Sequence, residues 1–234
     1  MKLRDIANVS LDRLSRLGLS VRLGLQRGLH LTHNYQPDPF ASDAAHDPRA
    51  CRARFQAADA VLADLKLPSV LDVGCNQGYF TFRFAEKGGI CLGVDNDRAE
   101  LMAARARAEG RKVRNIAFLE MTLDRESMQG LPVSDVVVCL SVFHHWVRHY
   151  GQADAEEMLA MLAAKAGKAL VFDSGQPEET STSWAQALAF MQPSGPVWIT
   201  RHLESLGFSQ VKEIGVFSTS LSPVPRSLFV ARRG

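Results

Sequence analysis

The period of the hydrophobic pattern changes several times along this chain. Residues 2–27 place Leu3, Ile6, Leu14, Leu17, Val21 and Leu25 at helical spacing with arginines between them. This predicts one or two amphipathic helices, interrupted by Gly18 and Gly24. Residues 32–50 hold Tyr35, Pro37, Pro39 and Pro48 and read as a loop. Helical spacing returns over 50–66, and Pro68 ends it. Short apolar runs then alternate with helical stretches. Strands are predicted at 70–73, 89–94, 116–119, 135–141 and 169–172, and helices at 79–87, 98–110 and 153–166. The fourth strand is apolar on both faces and should be central. A long insertion follows, with a short helix around 184–190. The chain closes with a helix at 201–206 and a strand pair at 211–217 and 227–231.

Strands joined through helices predict an α/β chain: a Rossmann-like open doubly wound sheet with a terminal antiparallel strand pair. Its ligand crevice should lie at the carboxyl ends of the parallel strands. The organisation expected is an arm and loop over 1–50 and a sheet domain over 51–234, with an insertion at 174–198 on the substrate side.

Composition narrows the class. With 46% hydrophobic and 22% charged residues, the 234-residue chain reads as globular. No apolar run reaches the length of a membrane span, and a signal-peptide core is missing. Cys51, Cys75, Cys91 and Cys139 are scattered and show no zinc spacing, so reduced thiols in a cytoplasmic protein are expected, with no metal. The net charge of +2 is unevenly placed: six basic against two acidic residues give residues 1–30 a charge of +4, leaving −2 for the rest. That argues against a nucleic-acid partner for the body. For the arm it leaves three readings: packing on one flank of the domain, lying on an anionic membrane face such as the inner face of the cell membrane, or oligomerisation.

The sharpest local signal is Val70-Leu-Asp-Val-Gly-Cys-Asn-Gln-Gly78. A strand ends and turns into a helix through Gly74 and Gly78, while Asp72 sits beside the turn. Gly74 lets the backbone bend and approach a ligand. The middle glycine of a dinucleotide fingerprint is missing, and no GK[ST] follows, so pyrophosphate and P-loop sites are disfavoured. The second strand ends in Val94-Asp-Asn-Asp97, where Asp95 is placed to accept two hydrogen bonds from a ribose diol and Asn96 lies alongside.

Together these elements resemble the class I S-adenosylmethionine-dependent methyltransferases over roughly 66–173. The resemblance implies that Asp72, Gly74, Cys75, Asn76 and Gly78 hold the methionine part of S-adenosyl-L-methionine and that Asp95 holds its ribose. Glu120 or Met121, after the third strand, would contact adenine. Asn76 stands where the family commonly has glycine. In such a site the cofactor carries the activated methyl, and the protein aligns the nucleophile and excludes water.

On the acceptor side, Leu140-Ser-Val-Phe-His-His-Trp146 places Ser141 and a histidine pair at the end of the central strand, facing the cofactor crevice, with Ser141 a candidate cofactor contact. His144 and His145 are the candidate catalytic residues, as proton acceptors or anion ligands. In extended backbone only one would face the methyl group. Trp146 reads as a pocket wall or a core residue. Near the C-terminus, Pro223 and Pro225 stiffen the chain before Arg226, which would offer one guanidinium to a phosphate or carboxylate. Gln176 in the insertion and Tyr35 before the domain are further acceptor contacts. The blocks 141–145 and 221–226 also resemble the methyltransferase half of bacterial enzymes that terminate polymannose O-antigen chains by phosphorylating the end sugar and methylating the phosphate. This implies O-methylation of a sugar, a phosphorylated sugar or an envelope glycan. The alternatives are an RNA methyltransferase, perhaps acting on a terminal phosphate, and a non-catalytic cofactor-binding scaffold.

Overall fold

The computed structural model describes residues 36–40 and 47–234. The amphipathic arm and Tyr35 lie outside the described residues. Helix α1 (Cys51–Val61) precedes β1 (Ser69–Val73), followed by α2 (Tyr79–Glu86), β2 (Ile90–Asp95), α3 (Arg98–Gly110) and β3 (Ile116–Glu120). Then come α4 (Arg125–Gln129), β4 (Ser134–Leu140), α5 (Phe143–Tyr150), α6 (Gln152–Lys165) and β5 (Ala166–Asp173). Helix α7 (Gly195–Ser205) and strands β6 (Gln210–Thr219) and β7 (Ser222–Arg232) complete the chain.

The seven strands form one sheet in the order β3-β2-β1-β4-β5-β7-β6. Strands β1 to β5 are parallel, whereas β7 runs antiparallel to both β5 and β6. This is the expected Rossmann-like α/β class, and β4 is central. The alternation along β4 shows why. Val137 and Cys139 join a core with α5, α6 and α7, while Val136 and Val138 join a second core with α1 and α2. Both faces are covered, so the strand reads as a continuous apolar run.

Local chemistry sets the helix ends. Asp97 caps α3 by accepting from the N–H groups of Ala99 and Glu100, and Asp124 and Ser127 form a reciprocal capping box on α4. The structure differs from the sequence reading at several places, among them an unforeseen short helix α4 and an end of α1 at Val61, short of residue 66. Residues 143–150, which carry the histidine pair, form helix α5 and not extended chain. Helix α7 begins at Gly195, because Pro196 sits in its first turn, where no intrahelical N–H is required. The insertion holds one 3₁₀ turn at Gln186–Leu188 in place of a helix.

The β6–β7 hairpin reaches past the sheet. Strand β5 pairs with β7 only over Phe229 to Arg232, while β6 stays paired with β7 as far as Thr219 and Ser222. The hairpin therefore overhangs the carboxyl end of β5, the end at which a doubly wound sheet binds its ligands.

Candidate active site

Two groups of residues meet at the carboxyl ends of β1, β2, β4 and β5. The first is the loop from β1 to α2. Gly74, Asn76 and Gly78 all have positive φ, at 71°, 52° and 79°. The N–H groups of Gly74 and Cys75 donate to the Val94 carbonyl at 2.8 and 3.1 Å, which pins the loop to β2. Asp95 completes the joint: its Oδ2 accepts from the Asn76 N–H at 2.7 Å and its Oδ1 from the Asp97 N–H at 2.9 Å. A carboxylate has about four lone-pair positions, so Asp95 keeps capacity for further donors. Asn76 Oδ1 is buried without a hydrogen-bond partner. Buried polar atoms are nearly always satisfied. An orphaned acceptor beside a carboxylate, on a loop opened by glycines, fits a ligand that carries an ammonium and a ribose diol.

Asp72 lies beneath this loop. Its Oδ2 accepts from the Thr81 hydroxyl at 2.6 Å and the Thr81 N–H at 3.1 Å, tying β1 to α2. Burial drives its pKa up to about 7, against the opposing Thr81 hydrogen bonds. Cys75 is a buried thiol, and burial raises its pKa well above the ordinary value. Glu120 is exposed and pairs loosely with Arg98 at 3.9 Å. The Met121 N–H donates to the Asp95 carbonyl at 2.9 Å, so the residue after β3 is joined to the carboxylate's own strand end. Asn96 is exposed in the same turn.

The second group lies one strand over. Ser141, with φ at 61°, follows β4 and joins two buried ion pairs. Its N–H and hydroxyl donate to Asp173 Oδ1 at 2.6 and 3.2 Å, and its hydroxyl accepts from Arg226 Nη1 at 3.1 Å. Asp173 Oδ2 pairs with Arg54 of α1. Arg226 grips Glu179 through Nε and Nη2, both at 2.8 Å, with exposures of 2% and 0%. Glu179 Oε1 also accepts from the Gln176 N–H at 2.8 Å, holding the start of the insertion.

The histidines sit above this network. His144 is 1% exposed, and its Nδ1 accepts from the Gly175 N–H at 3.0 Å. Its ring centroid lies 4.3 Å from that of His145 and 4.7 Å from Trp184. The Arg226 guanidinium lies 5.3 Å from the Trp184 ring. Burial, with the nearby His145 and the charges of Arg226, Arg49 and Arg148, lowers the His144 pKa well below the usual histidine range. His145, at an exposed position, is shifted the same way by partial desolvation and by Arg148. Three buried polar atoms here have no hydrogen-bond partner: Ser174 Oγ, Gln176 Nε2 and Trp184 Nε1.

Several sequence expectations need restating against this geometry. Arg226 is not presented by a stiff turn. It lies on β7 with Pro223 and Pro225, because the turn falls before Ser222, and its side chain is buried against Glu179. Trp146 belongs to the core packed on β4. His144, Ser141, Gln176 and Arg226 are brought together, and Trp184 and Glu179 of the insertion join them. Asp173 was not singled out by the sequence reading. An acid at the carboxyl end of a parallel strand was the available signal.

A family model described as a methyltransferase domain matches residues 71–167. The O-antigen chain terminator bifunctional methyltransferase/kinase WbdD of Escherichia coli is 31% identical over 164 residues, covering 69% of this chain and 22% of that protein. Crystalline WbdD superposes with a TM-score of 0.68 at 27% identity, over 86% of this chain and 45% of the other. The chain is a class I S-adenosylmethionine-dependent methyltransferase. Its cofactor is S-adenosyl-L-methionine. The ubiquinone biosynthesis O-methyltransferase of Acinetobacter baylyi is 33% identical over 76 residues, 32% of each chain. Magnesium protoporphyrin IX methyltransferase from Synechocystis, with bound S-adenosylmethionine, shares the fold at a TM-score of 0.57 and 22% identity, over 79% of each chain. This methyltransferase thus spans about a fifth of the length of the curated WbdD relatives.

Proposed function

We propose that this methyltransferase transfers the methyl group to an oxygen of a polar acceptor: a sugar, a phosphorylated sugar or an envelope glycan. The cofactor supplies an activated sulfonium methyl. On this reading Gly74, Cys75, Asn76 and Gly78 form the wall for its amino-acid end, and Asp95 accepts from the ribose hydroxyls. Met121 and Glu120 flank the adenine side. Asp72 acts from below, by fixing the start of α2 through Thr81.

The observation that carries the acceptor assignment is the set of unsatisfied buried atoms beside the histidines. Ser174 Oγ, Gln176 Nε2 and Trp184 Nε1 belong to the chain leaving β5 and to the insertion. A polyhydroxyl or phosphorylated acceptor satisfies such atoms, and an apolar one would leave them unpaired at a cost of about 1–3 kcal/mol each. Arg226 then shapes the wall, with its charge met by Glu179 and a hydrogen bond to Ser141. The likeness to WbdD, named as an O-antigen chain terminator, and to a ubiquinone biosynthesis O-methyltransferase supports oxygen as the nucleophile. The setting proposed is the cytoplasmic side of the cell envelope, with the basic segment 1–30 as a peripheral contact to the membrane's inner face.

The test is transfer of labelled methyl from S-adenosylmethionine to free and phosphorylated oligosaccharides, with RNA oligonucleotides run alongside. Incorporation into a saccharide at low enzyme concentration is expected. Incorporation confined to RNA, or none into either saccharide class by protein that binds the cofactor, overturns the proposal.

A further inference from the structure

The two adjacent histidines occupy unequal positions, and the hydrogen bond to Gly175 decides what each can do. A backbone N–H is always a donor, so the ring atom that faces it must carry a lone pair. His144 Nδ1 receives that N–H at 3.0 Å, which puts the ring's proton on Nε2. Turning the ring over would place a carbon against the Gly175 N–H and leave a buried donor unsatisfied. The ring is also confined between His145 and Trp184, at centroid separations of 4.3 and 4.7 Å. A side chain at position 175 would collide with this packing, because a Cβ there would lie 2.6 Å from Trp184 Nε1 and 3.0 Å from the His144 ring.

We propose that His144 is a fixed hydrogen-bond donor that orients the acceptor oxygen through Nε2–H, and that His145 is the member of the pair that takes a proton. The inference rests on the reading of this crevice as an oxygen-acceptor site. For a hydroxyl acceptor, the oxygen forms its bond to the methyl carbon as the carbon–sulfur bond breaks, and that electron pair passes to sulfur. The hydroxyl proton passes to a ring nitrogen of His145, which becomes imidazolium, while the cofactor leaves as a neutral thioether. His144 cannot fill that role at Nε2 without first surrendering the Gly175 bond.

The surroundings favour the same division. His144 is faced by His145 and Arg148 of α5, Arg226 of β7 and Arg49 ahead of α1, all of which oppose a positive charge on its buried ring. His145 is opposed in the same sense by partial desolvation, by Arg148 and His149 of its own helix and by Arg226 and Arg49, but it stands at an exposed position, whereas the His144 ring is fully buried.

The test is long-range proton–nitrogen correlation on the full chain with ¹⁵N-labelled histidine, followed from about pH 5 to about pH 8.5, across the range in which ordinary histidines titrate. Signals are assigned with His144→Asn and His145→Gln. The Asn variant can still accept from Gly175 but has no Nε2 donor. His144 should show one protonated Nε2 and one bare Nδ1 throughout, while His145 titrates. A His144 signal that is protonated at Nδ1, averaged between tautomers or titrating overturns the assignment. With an acceptor found by the methyl-transfer screen, His144→Asn should raise the acceptor KM about tenfold or more and keep the acidic limb of the pH profile, which His145→Gln abolishes. Survival of that limb in His145→Gln overturns the proton-accepting role. If no acceptor is methylated by the wild type, the functional reading fails, and the spectra still decide the tautomer.

Discussion

Arg226 shows how much a single side chain can depend on residues remote in sequence. It is among the largest fully buried side chains, and its charge is met by Glu179, 47 positions earlier. A buried ion pair adds little net stability over apolar side chains of the same volume, but breaking one half leaves an uncompensated charge. Arg226→Met should therefore cost about 3–5 kcal/mol in chemical unfolding, and Arg226→Met with Glu179→Met should recover most of it. Equal instability of the single and double variants would remove the ion pair from the account. Asp72 gives a pH signature at the same scale. Its carboxyl is raised from 3.8 to about 7 by burial, so the folded protein holds a proton that the unfolded chain releases. The sign follows: relative to Asp72→Asn, the wild type should lose stability as pH rises from about 4 to about 7, then level off. A difference between the two that stays constant over that window contradicts it. Neither environment could be read in advance. The sequence identifies Arg226 as unusual and Asp72 as near the turn, but their partners depend on β7 folding back over the insertion and on α2 docking on β1. Arg54 and Asp173 illustrate the same distance problem, at 119 positions apart.

At the scale of elements, the loop after β1 and the start of α5 are one joint. A Cβ on Gly74 would lie 2.4 Å from Val142 Cγ2, directly before the histidine helix. The residue also has φ of 71°. Gly74→Ala should thus suffer twice: about 1–2 kcal/mol for left-handed backbone, and roughly 1–3 kcal/mol for overpacking. Adding Val142→Ala should relieve only the second part in a double-mutant cycle of unfolding free energies, and a cycle with no coupling would separate the loop from α5. The glycine's need to turn was legible from the motif, whereas the identity of what it passes was not. Helix α5 itself was hidden. Phe143-His-His-Trp-Val-Arg-His-Tyr150 is rich in aromatic and β-branched residues that favour strands. Burial of Phe143, Trp146 and Val147 at helical spacing overrides that preference. Helix α3, by contrast, runs over 98–110 as read, since alanine-rich sequence and an Asp97 cap point the same way.

On the scale of the whole molecule, the alternation of strand and helix periods was enough to give the sheet class and the central place of β4. The insertion of β7 between β5 and β6 came from no local pattern. It follows from Arg232 to Phe229 pairing back along β5, and it carries Arg226 to Glu179 and Ser141. On the proposed reading the domain divides its work across the sheet: β1 and β2 present the cofactor loop, β4, β5 and the hairpin present the acceptor wall, and Ser141 sits between them. That division is the central claim, and a crystal structure with bound S-adenosylhomocysteine tests it most directly. The ribose hydroxyls should lie on Asp95, the amino-acid end against the 74–78 loop, and the sulfur should face the space bounded by His144, Ser174 and Trp184. A nucleoside bound away from Asp95, or a sulfur turned from the β4 and β5 ends, would contradict it.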